Sequence, residues 1–252
     1  SWFEKDGFIA VNENEDSLFS DDENAEVTAV FIKDKSRTGL RALSSFITKK
    51  SLDFFCGAGE YLSALKSFGF VIRNDDDAKS VFELLNHYRI LCANRNGPLG
   101  TVEINKKVNA DVQSFLRSSG KLNLRYDPED FYPGKVILIS RNDPFLNVDN
   151  GDVGFVAFDS EDGKKENRLK VFFPPKDRKT GDDSSFTDVR VISPERLSDY
   201  GSGFAMTIHK SQGSEYSYVC MVLCAAYNPV LTKEQVLCWL QRFRTLDVSK
   251  AE

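Results

Sequence analysis

Phe204 to Val219 reads FAMTIHKSQGSEYSYV. A short apolar run leads into Thr207, His209, Lys210, Ser211, Gln212, Gly213 and Glu215. Tyr218-Val-Cys-Met-Val-Leu223 then has the composition of a second strand. Polar groups gathered at the edge of a parallel sheet sit where α/β proteins bind ligands. Thr207 and Ser211 carry hydroxyls that can donate to phosphate oxygens, and His209 and Lys210 add donors or charge. A helix starting here would also aim free N–H groups and its positive dipole end at an anion. The bland alternative is a solvated loop in which Lys210 and Glu215 face water, the commoner fate of polar loops.

The flanks supply a matching framework. Tyr88-Arg-Ile-Leu-Cys-Ala93 predicts a buried strand that ends in the turn Asn94-Arg95-Asn96-Gly97-Pro98. Val102 to Ser119 predicts a helix with Val108, Val112, Phe115 and Leu116 on one side and Gly120 as its stop. Strand, turn, helix is the α/β building unit. Residues 131–197 differ: Val136–Ile139, Gly154–Phe158, Leu169–Phe173 and Phe186–Ile192 are short β-type runs. Asn150-Gly151, Glu161-Asp162-Gly163 and Pro174-Pro175 separate them, which suggests a small antiparallel barrel. Because α/β signals resume afterwards, the barrel reads as inserted. Upstream, Ala42, Phe46 and Ile47 share a helical face, and Ala78 to Tyr88 carries Val81, Leu84, Leu85 and Tyr88 at helical spacing. Short strands or surface segments are expected at Phe8–Val11 and Val27–Ile32, and the chain is expected to begin mid-domain. Near the end, Thr232-Lys-Glu-Gln235 has the spacing of a capping box for a helix through Val236, Leu237, Leu240 and Phe243.

Bulk properties remove some function classes. The 252 residues suffice for one large or two modest domains, and 41% hydrophobic content is ordinary for a globular chain. No apolar run reaches the roughly 18 residues of a membrane span, and the start lacks the features of a signal peptide, so a cytoplasmic protein is expected. Five scattered cysteines and two histidines assemble no metal set, and the cysteines read as reduced and structural. A net charge of −5 does not advertise nucleic-acid binding, but phosphate contacts need only a local basic groove.

The string T-I-H-K-S-Q-G-S-E-Y, Thr207 to Tyr216, resembles motif V of RecD-type superfamily-one DNA helicases, which include the exodeoxyribonuclease V alpha subunit. Leu91-Cys-Ala-Asn-Arg95-Asn-Gly97-Pro98-Leu-Gly100 with Asn105 is similar to the motif IV region. Tyr132-Pro-Gly134-Lys-Val136, Ser140-Arg141-Asn142-Asp143 and Asn150-Gly151-Asp152-Val-Gly154 look like the start of that family's SH3-like insertion. The likeness covers residues 88–237, with a faint match at 36–50. It implies an α/β fold: a RecA-like, P-loop NTPase-type second motor domain with a parallel sheet, interrupted by a small SH3-like β-barrel. Residues 1–87 would then be the remnant of the first motor domain and connecting helices, 88–130 and 198–252 the second motor domain, and 131–197 the barrel. By the same resemblance Arg95, Gln212, Gly213 and Glu215 would face the nucleotide, while Thr207, His209, Lys210, Ser211, Asn142 and Asn150 would lie along the DNA. For Asn150 the plain reading is the Asn-Gly hairpin turn.

A helicase also needs a GxxxxGK[ST] loop and a strand-borne acidic residue for magnesium. The Gly-Lys pairs at 120–121, 134–135 and 163–164 fit no such loop. The expectation is a C-terminal portion inactive as an ATPase alone, with ATP and Mg2+ bound only in the intact enzyme. The missing N-terminal motor domain, single-stranded DNA and the nuclease and helicase subunits of an exodeoxyribonuclease V complex are the implied partners. Where the family has a string close to T-A-[IV]-T-R-A-R, Val236-Leu-Cys-Trp239-Leu-Gln-Arg242-Phe-Arg244 departs from it. Arg242 keeps the register of the arginine that reaches the γ-phosphate, so it is the candidate catalytic residue; divergence and a reading-frame change both account for the departure. Two other readings stand beside the helicase: a non-enzymatic single-strand-binding module, and a degenerate gene fragment without activity.

Overall fold

The computed structural model describes residues 36–118, 131–160, 168–176, 188–211, 214 and 216–223. The runs expected at Phe8–Val11 and Val27–Ile32, the stop at Gly120, the turn at 161–163 and the helix from Thr232 to Phe243 lie outside them. Helices α1 (Arg37–Cys56), α2 (Tyr61–Ser67), α3 (Asp75–Leu85) and α4 (Thr101–Ser118) accompany strands β1 (Val71–Ile72), β2 (Tyr88–Cys92), β3 (Val136–Ile139), β4 (Val153–Asp159) and β5 (Arg168–Phe173). Four short strands follow: β6 (Arg190–Ile192), β7 (Tyr200–Ser202), β8 (Ala205–Thr207) and β9 (Tyr218–Val222). Helix α3 starts at an Asn74 cap whose side chain accepts the Asp77 N–H, and Asp75, Asp76 and Asp77 put negative charge at its positive dipole end. It stops at Leu85 rather than continuing to Tyr88, because Asn86 and His87 turn the chain so that Tyr88 can open β2.

The first sheet is parallel, in the order β8-β2-β9. Tyr88 to Cys92 registers against Tyr218 to Val222, and Ile90 to Cys92 against Ala205 to Thr207. Every residue of β2 is buried, which explains why the central strand reads as a continuous run rather than alternating. The second sheet is largely antiparallel, in the order β6-β5-β4-β3-β7, with β1 paired in parallel on β4. Strands β1 and β7 come from outside 131–197: Val71 pairs with Phe158, and Ser202 with Ile137.

One apolar core ties these parts together. Leu62 and Leu65 of α2, Val81 and Phe82 of α3, Val108 and Val112 of α4, Phe155 of β4 and Phe204 before β8 belong to a single buried cluster. A second fills the other side of the antiparallel sheet around Ile137, Val156, Val171 and Phe173. A third, smaller one joins the sheets: Leu91 and Met206 of the parallel sheet, with Ile208, meet Leu138. Among the described residues no helix is long and apolar enough to cross a membrane.

Helix α4 buries Val108, Val112 and Leu116 as its spacing predicts, but Thr101, Asn105, Asn109 and Gln113 are buried too. These four recur at the i, i+4 interval, so they form a polar stripe beside the apolar one. Asn109 Nδ2 donates to Ser202 Oγ at 2.7 Å and its Oδ1 accepts from the Tyr132 hydroxyl at 2.6 Å, which holds β7 and the 131–135 turn against the helix.

Burial also governs the thiols. It pushes Cys56 and Cys92 up to about 12 and Cys220 to about 11. A thiol held protonated is a poor nucleophile. At pH 8, iodoacetamide should alkylate these three at least about tenfold more slowly in the native chain than in the unfolded one, where the ordinary value is near 8.5. Peptide mass spectrometry of quenched time points measures this; a native Cys92 labelled at the unfolded rate would refute it.

Candidate nucleic-acid interface

Cys92 and Thr207 are register partners in parallel strands, so β2 and β8 deliver their following turns to the same edge of the sheet. After β2, Ala93 N–H donates to the Val222 carbonyl at 2.9 Å and residues 94–100 fold into a compact turn. Gly100 is required there, since a Cβ would stand 2.6 Å from the Arg95 carbonyl oxygen. That carbonyl accepts the Val102 N–H at 3.1 Å, and the Asn94 carbonyl accepts the Thr101 N–H at 3.0 Å. The backbone of Arg95 is thereby fixed to the start of α4 while its side chain is exposed.

After β8, Ile208–Ser211 forms a 3-10 turn. Ile208 is buried, with Met206, against Leu91 and Leu138, whereas His209 is exposed and Lys210 half-buried. The Ser211 hydroxyl donates to the Ile208 carbonyl at 2.7 Å, so its proton serves the turn. Burial lowers the Lys210 pKa, and the charge of Arg95 lowers it further. The two cations are therefore electrostatic neighbours across the strand ends.

The loop between β3 and β4 completes the edge. Asn142 Oδ1 accepts the Asn150 N–H at 2.7 Å, which brings the two asparagines together. Gly151 has φ +102°, and a Cβ on it would lie 3.8 Å from the Lys210 carbonyl oxygen, so the loop rests against the 208–211 turn. Asn150-Gly151 are the central residues of a turn closed by the Asp152 N–H donating to the Asp149 carbonyl at 3.0 Å, but this turn is one part of a longer connection rather than a two-residue hairpin. Left-handed backbone occurs at Asn147 (φ 53°) and Gly151 but not at Asn150, and the strands are joined by the whole of 140–152. Lys176 braces this loop through Asp149 (2.7 Å) and Asp152 (3.0 Å), and Arg190 adds a 3.0 Å pair with Asp152 and a bond to the Asn147 carbonyl.

Of the expected site residues, Arg95, Thr207, Lys210 and Ser211 thus lie at one edge, with His209 in the same turn and Asn142 and Asn150 beside it. Gln212, Gly213, Glu215 and Arg242 lie outside the described residues. Sequence reading missed the supports. Arg89, fully buried on β2, donates to the Gly203 carbonyl at 2.7 Å and the Leu85 carbonyl at 3.2 Å, with its guanidinium 5.1 Å from the Tyr216 ring centre. Asn105 brackets Ala205, donating to its carbonyl and accepting its N–H, both at 2.8 Å. A charged residue inside an otherwise apolar strand, and the four-residue rhythm of polar positions on α4, were the available signals. Among the described residues no group of three or more His, Cys, Asp or Glu gathers as a metal site would.

No protein-family model matches the chain. The RecBCD enzyme subunit RecD of Haemophilus influenzae is 32% identical over 165 residues, covering 66% of this chain and 21% of that protein. The RecD subunit of Buchnera aphidicola from Acyrthosiphon pisum is 29% identical over 67% of this chain and 25% of its own length. The ATP-dependent RecD2 DNA helicase of Deinococcus radiodurans is 29% identical over 62% of this chain and 19% of its length. The chain is similar to RecD-type DNA helicases over about two thirds of its length. It spans about a fifth to a quarter of the length of these RecD relatives. A crystal structure of Bacteroides Pif1 bound to ssDNA aligns with 63% of this chain and 38% of that one, at 18% identity and a TM-score of 0.28, too low to bear on the fold.

Proposed function

We propose that this chain is the C-terminal portion of a cytoplasmic, ATP-dependent RecD-type DNA helicase and acts in DNA unwinding and repair. In this reading the parallel sheet with α4 belongs to the second RecA-like motor domain (88–130 and 198–252). Strands β3 to β6 of the antiparallel sheet correspond to the SH3-like insertion (131–197), onto which β1 and β7 add from outside that range, and 1–87 to the remnant of the first domain. The juxtaposition of Arg95 and Lys210 at one sheet edge, with the Asn142–Asn150 loop against the same turn, is the observation that carries it. Two neighbouring cations repel unless an anion stands between or beside them. A nucleotide phosphate on the Arg95 side and a DNA phosphate on the Lys210 side supply two such anions. Thr207 and His209 would add contacts to the DNA backbone. ATP with Mg2+ would be held only together with a first motor domain, which also supplies the phosphate loop and the acidic magnesium ligand, and Gln212, Gly213, Glu215 and Arg242 would complete the nucleotide side. Membership of an exodeoxyribonuclease V complex is part of the same proposal.

Fluorescence anisotropy with an oligothymidylate, titrated between 50 and 200 mM salt, tests it. The chain should bind with a steep salt dependence. Lys210→Ala should weaken binding to every sequence alike and flatten the logarithmic salt slope by about 0.7, the value of one single-strand phosphate contact. An unchanged slope and affinity would overturn the assignment of Lys210. Binding that stays indifferent to ATP even when a first motor domain is supplied would favour the non-enzymatic single-strand-binding module instead.

A further inference from the structure

Phe145 is 96% exposed, the largest apolar exposure among the described residues, yet it sits on an ordered loop. Asp143 Oδ1 accepts the N–H groups of Phe145 (2.9 Å) and Leu146 (3.2 Å), and Asp143 and Val148 exchange backbone bonds at 2.8 and 3.1 Å. Val148 is buried and Leu146 packs on the same core, so the loop turns these two side chains inward and holds Phe145 out. Lys176 and Arg190 both donate to the Asn147 carbonyl, which fixes the loop from its far side. An aromatic ring displayed on a braced loop loses little freedom on binding.

Phe145 forms the rim of a cavity of about 270 Å³ lined also by Arg141, Asn142, Asp143, Ser198 and Asp199. The lining is chemically mixed. Arg141 offers an exposed cation to a phosphate, whereas Asp199, which already accepts from Ser198 Oγ at 3.1 Å, would repel one and accept from an N–H at a base edge. Asn142 connects this cavity to the Lys210 turn through Asn150 and Gly151. A ligand suited to both halves carries flat, uncharged rings with ring N–H or amino donors on a chain of phosphates.

We propose that Phe145 is a stacking platform for one base of the single strand, with Arg141 on the adjoining phosphate and Asp199 at the base edge. The proposal rests on the DNA-binding reading above and adds to it a contact with the base rather than the backbone. Stacking of this kind tolerates any sequence, because every base has a π face.

Anisotropy of the full chain with an oligothymidylate and with an abasic oligomer of equal length separates the two contributions. Phe145→Ala should lose about tenfold in affinity for the oligothymidylate, within the range that removing one base–aromatic stack produces. Binding of the abasic oligomer and the salt slope should stay as in the parent chain. Phe145→Trp should restore affinity and show fluorescence quenched by the oligothymidylate but not by the abasic oligomer. If Phe145→Ala binds the oligothymidylate like the parent while Lys210→Ala does not, the platform is refuted and the helicase reading stands. If the parent chain binds neither oligomer, both fall. Loss of self-association in Phe145→Ala on sedimentation, with DNA affinity unchanged, would make the ring a protein contact and also overturn the proposal. Thermal unfolding of each variant guards against misfolding, which so exposed a position should not cause.

Discussion

Arg89→Met should lower the stability of the chain by about 3–5 kcal/mol, the loss seen when a buried charged partner is removed and its acceptors are left behind. Arg89 has no carboxylate partner among the described residues, and burial lowers its pKa, so its charge needs another source of compensation. The geometry supplies three. Leu85 ends α3, and its carbonyl belongs to the negative end of that helix dipole. The Gly203 carbonyl, just before β8, takes the 2.7 Å bond. The face of the Tyr216 ring adds cation–π attraction from 5.1 Å, and Tyr216 follows the functional turn directly. Methionine fills similar volume but leaves both carbonyls buried and unpaired. Arg89→Lys should recover only part of the loss, because a point ammonium cannot span two carbonyls as a planar guanidinium does. Urea unfolding followed by circular dichroism would show the midpoint fall by about 1–2 M at unchanged slope. A midpoint within error of the parent would mean that water satisfies both carbonyls and that Arg89 is no brace. Because the arginine ties both ends of the 204–216 segment, the variant should also weaken oligothymidylate binding at temperatures where it remains folded.

The sequence was legible where a segment makes its own decision. Val136–Ile139 is a strand because four apolar residues run between turn formers, and the observed bounds are those expected. The helix of 101–118 and the strands at 88–92 and 218–222 follow from unbroken patterns of adequate length. Strands β1 and β7 were illegible for the opposite reason: Val71-Ile72 is too short for any period, and Tyr200-Gly-Ser202 is made of residues that form strand only because β3 lies alongside. The Asn150-Gly151 pair does form a turn, as its local chemistry suggests, closed by the Asp152 N–H on the Asp149 carbonyl; what local chemistry could not show is the longer 140–152 connection around it, which Lys176 and Arg190 brace. Motif order pointed to the edge that carries Arg95 and Lys210, but that both lie there depends on parallel pairing of β2 with β8, a long-range fact. Buried polar braces hid best of all, since Arg89 and Asn105 resemble ordinary solvated residues until their partners, distant in sequence, are known.

Asn105 bears the second large effect. Among the described residues, strand β8 stands at the edge of the parallel sheet, bonded to β2 on one side only. Its other side would present a buried N–H and C=O at Ala205, and Asn105 meets both with one amide, standing in for a neighbouring strand. Asn105→Ala should therefore cost about 2–4 kcal/mol, the sum of two orphaned backbone groups at about 1–3 each, moderated by relaxation. Asn105→Asp separates this account from simple loss of packing. The introduced carboxylate still accepts the Ala205 N–H, but its second oxygen faces the Ala205 carbonyl, where only a protonated acid can donate. Its pKa in the folded state should thus rise above the roughly 3.9 of the unfolded chain. The folded state then binds the proton more tightly, so the stabilising contribution is present at low pH and is lost as pH climbs through the raised value. Relative to the parent, the aspartate variant should be close to wild-type stability near pH 4 and several-fold further toward unfolding by pH 7, measured as the difference in urea midpoints. A pH-independent difference would show that the carbonyl side of the bracket is immaterial, and the edge of β8 would need another explanation for its burial.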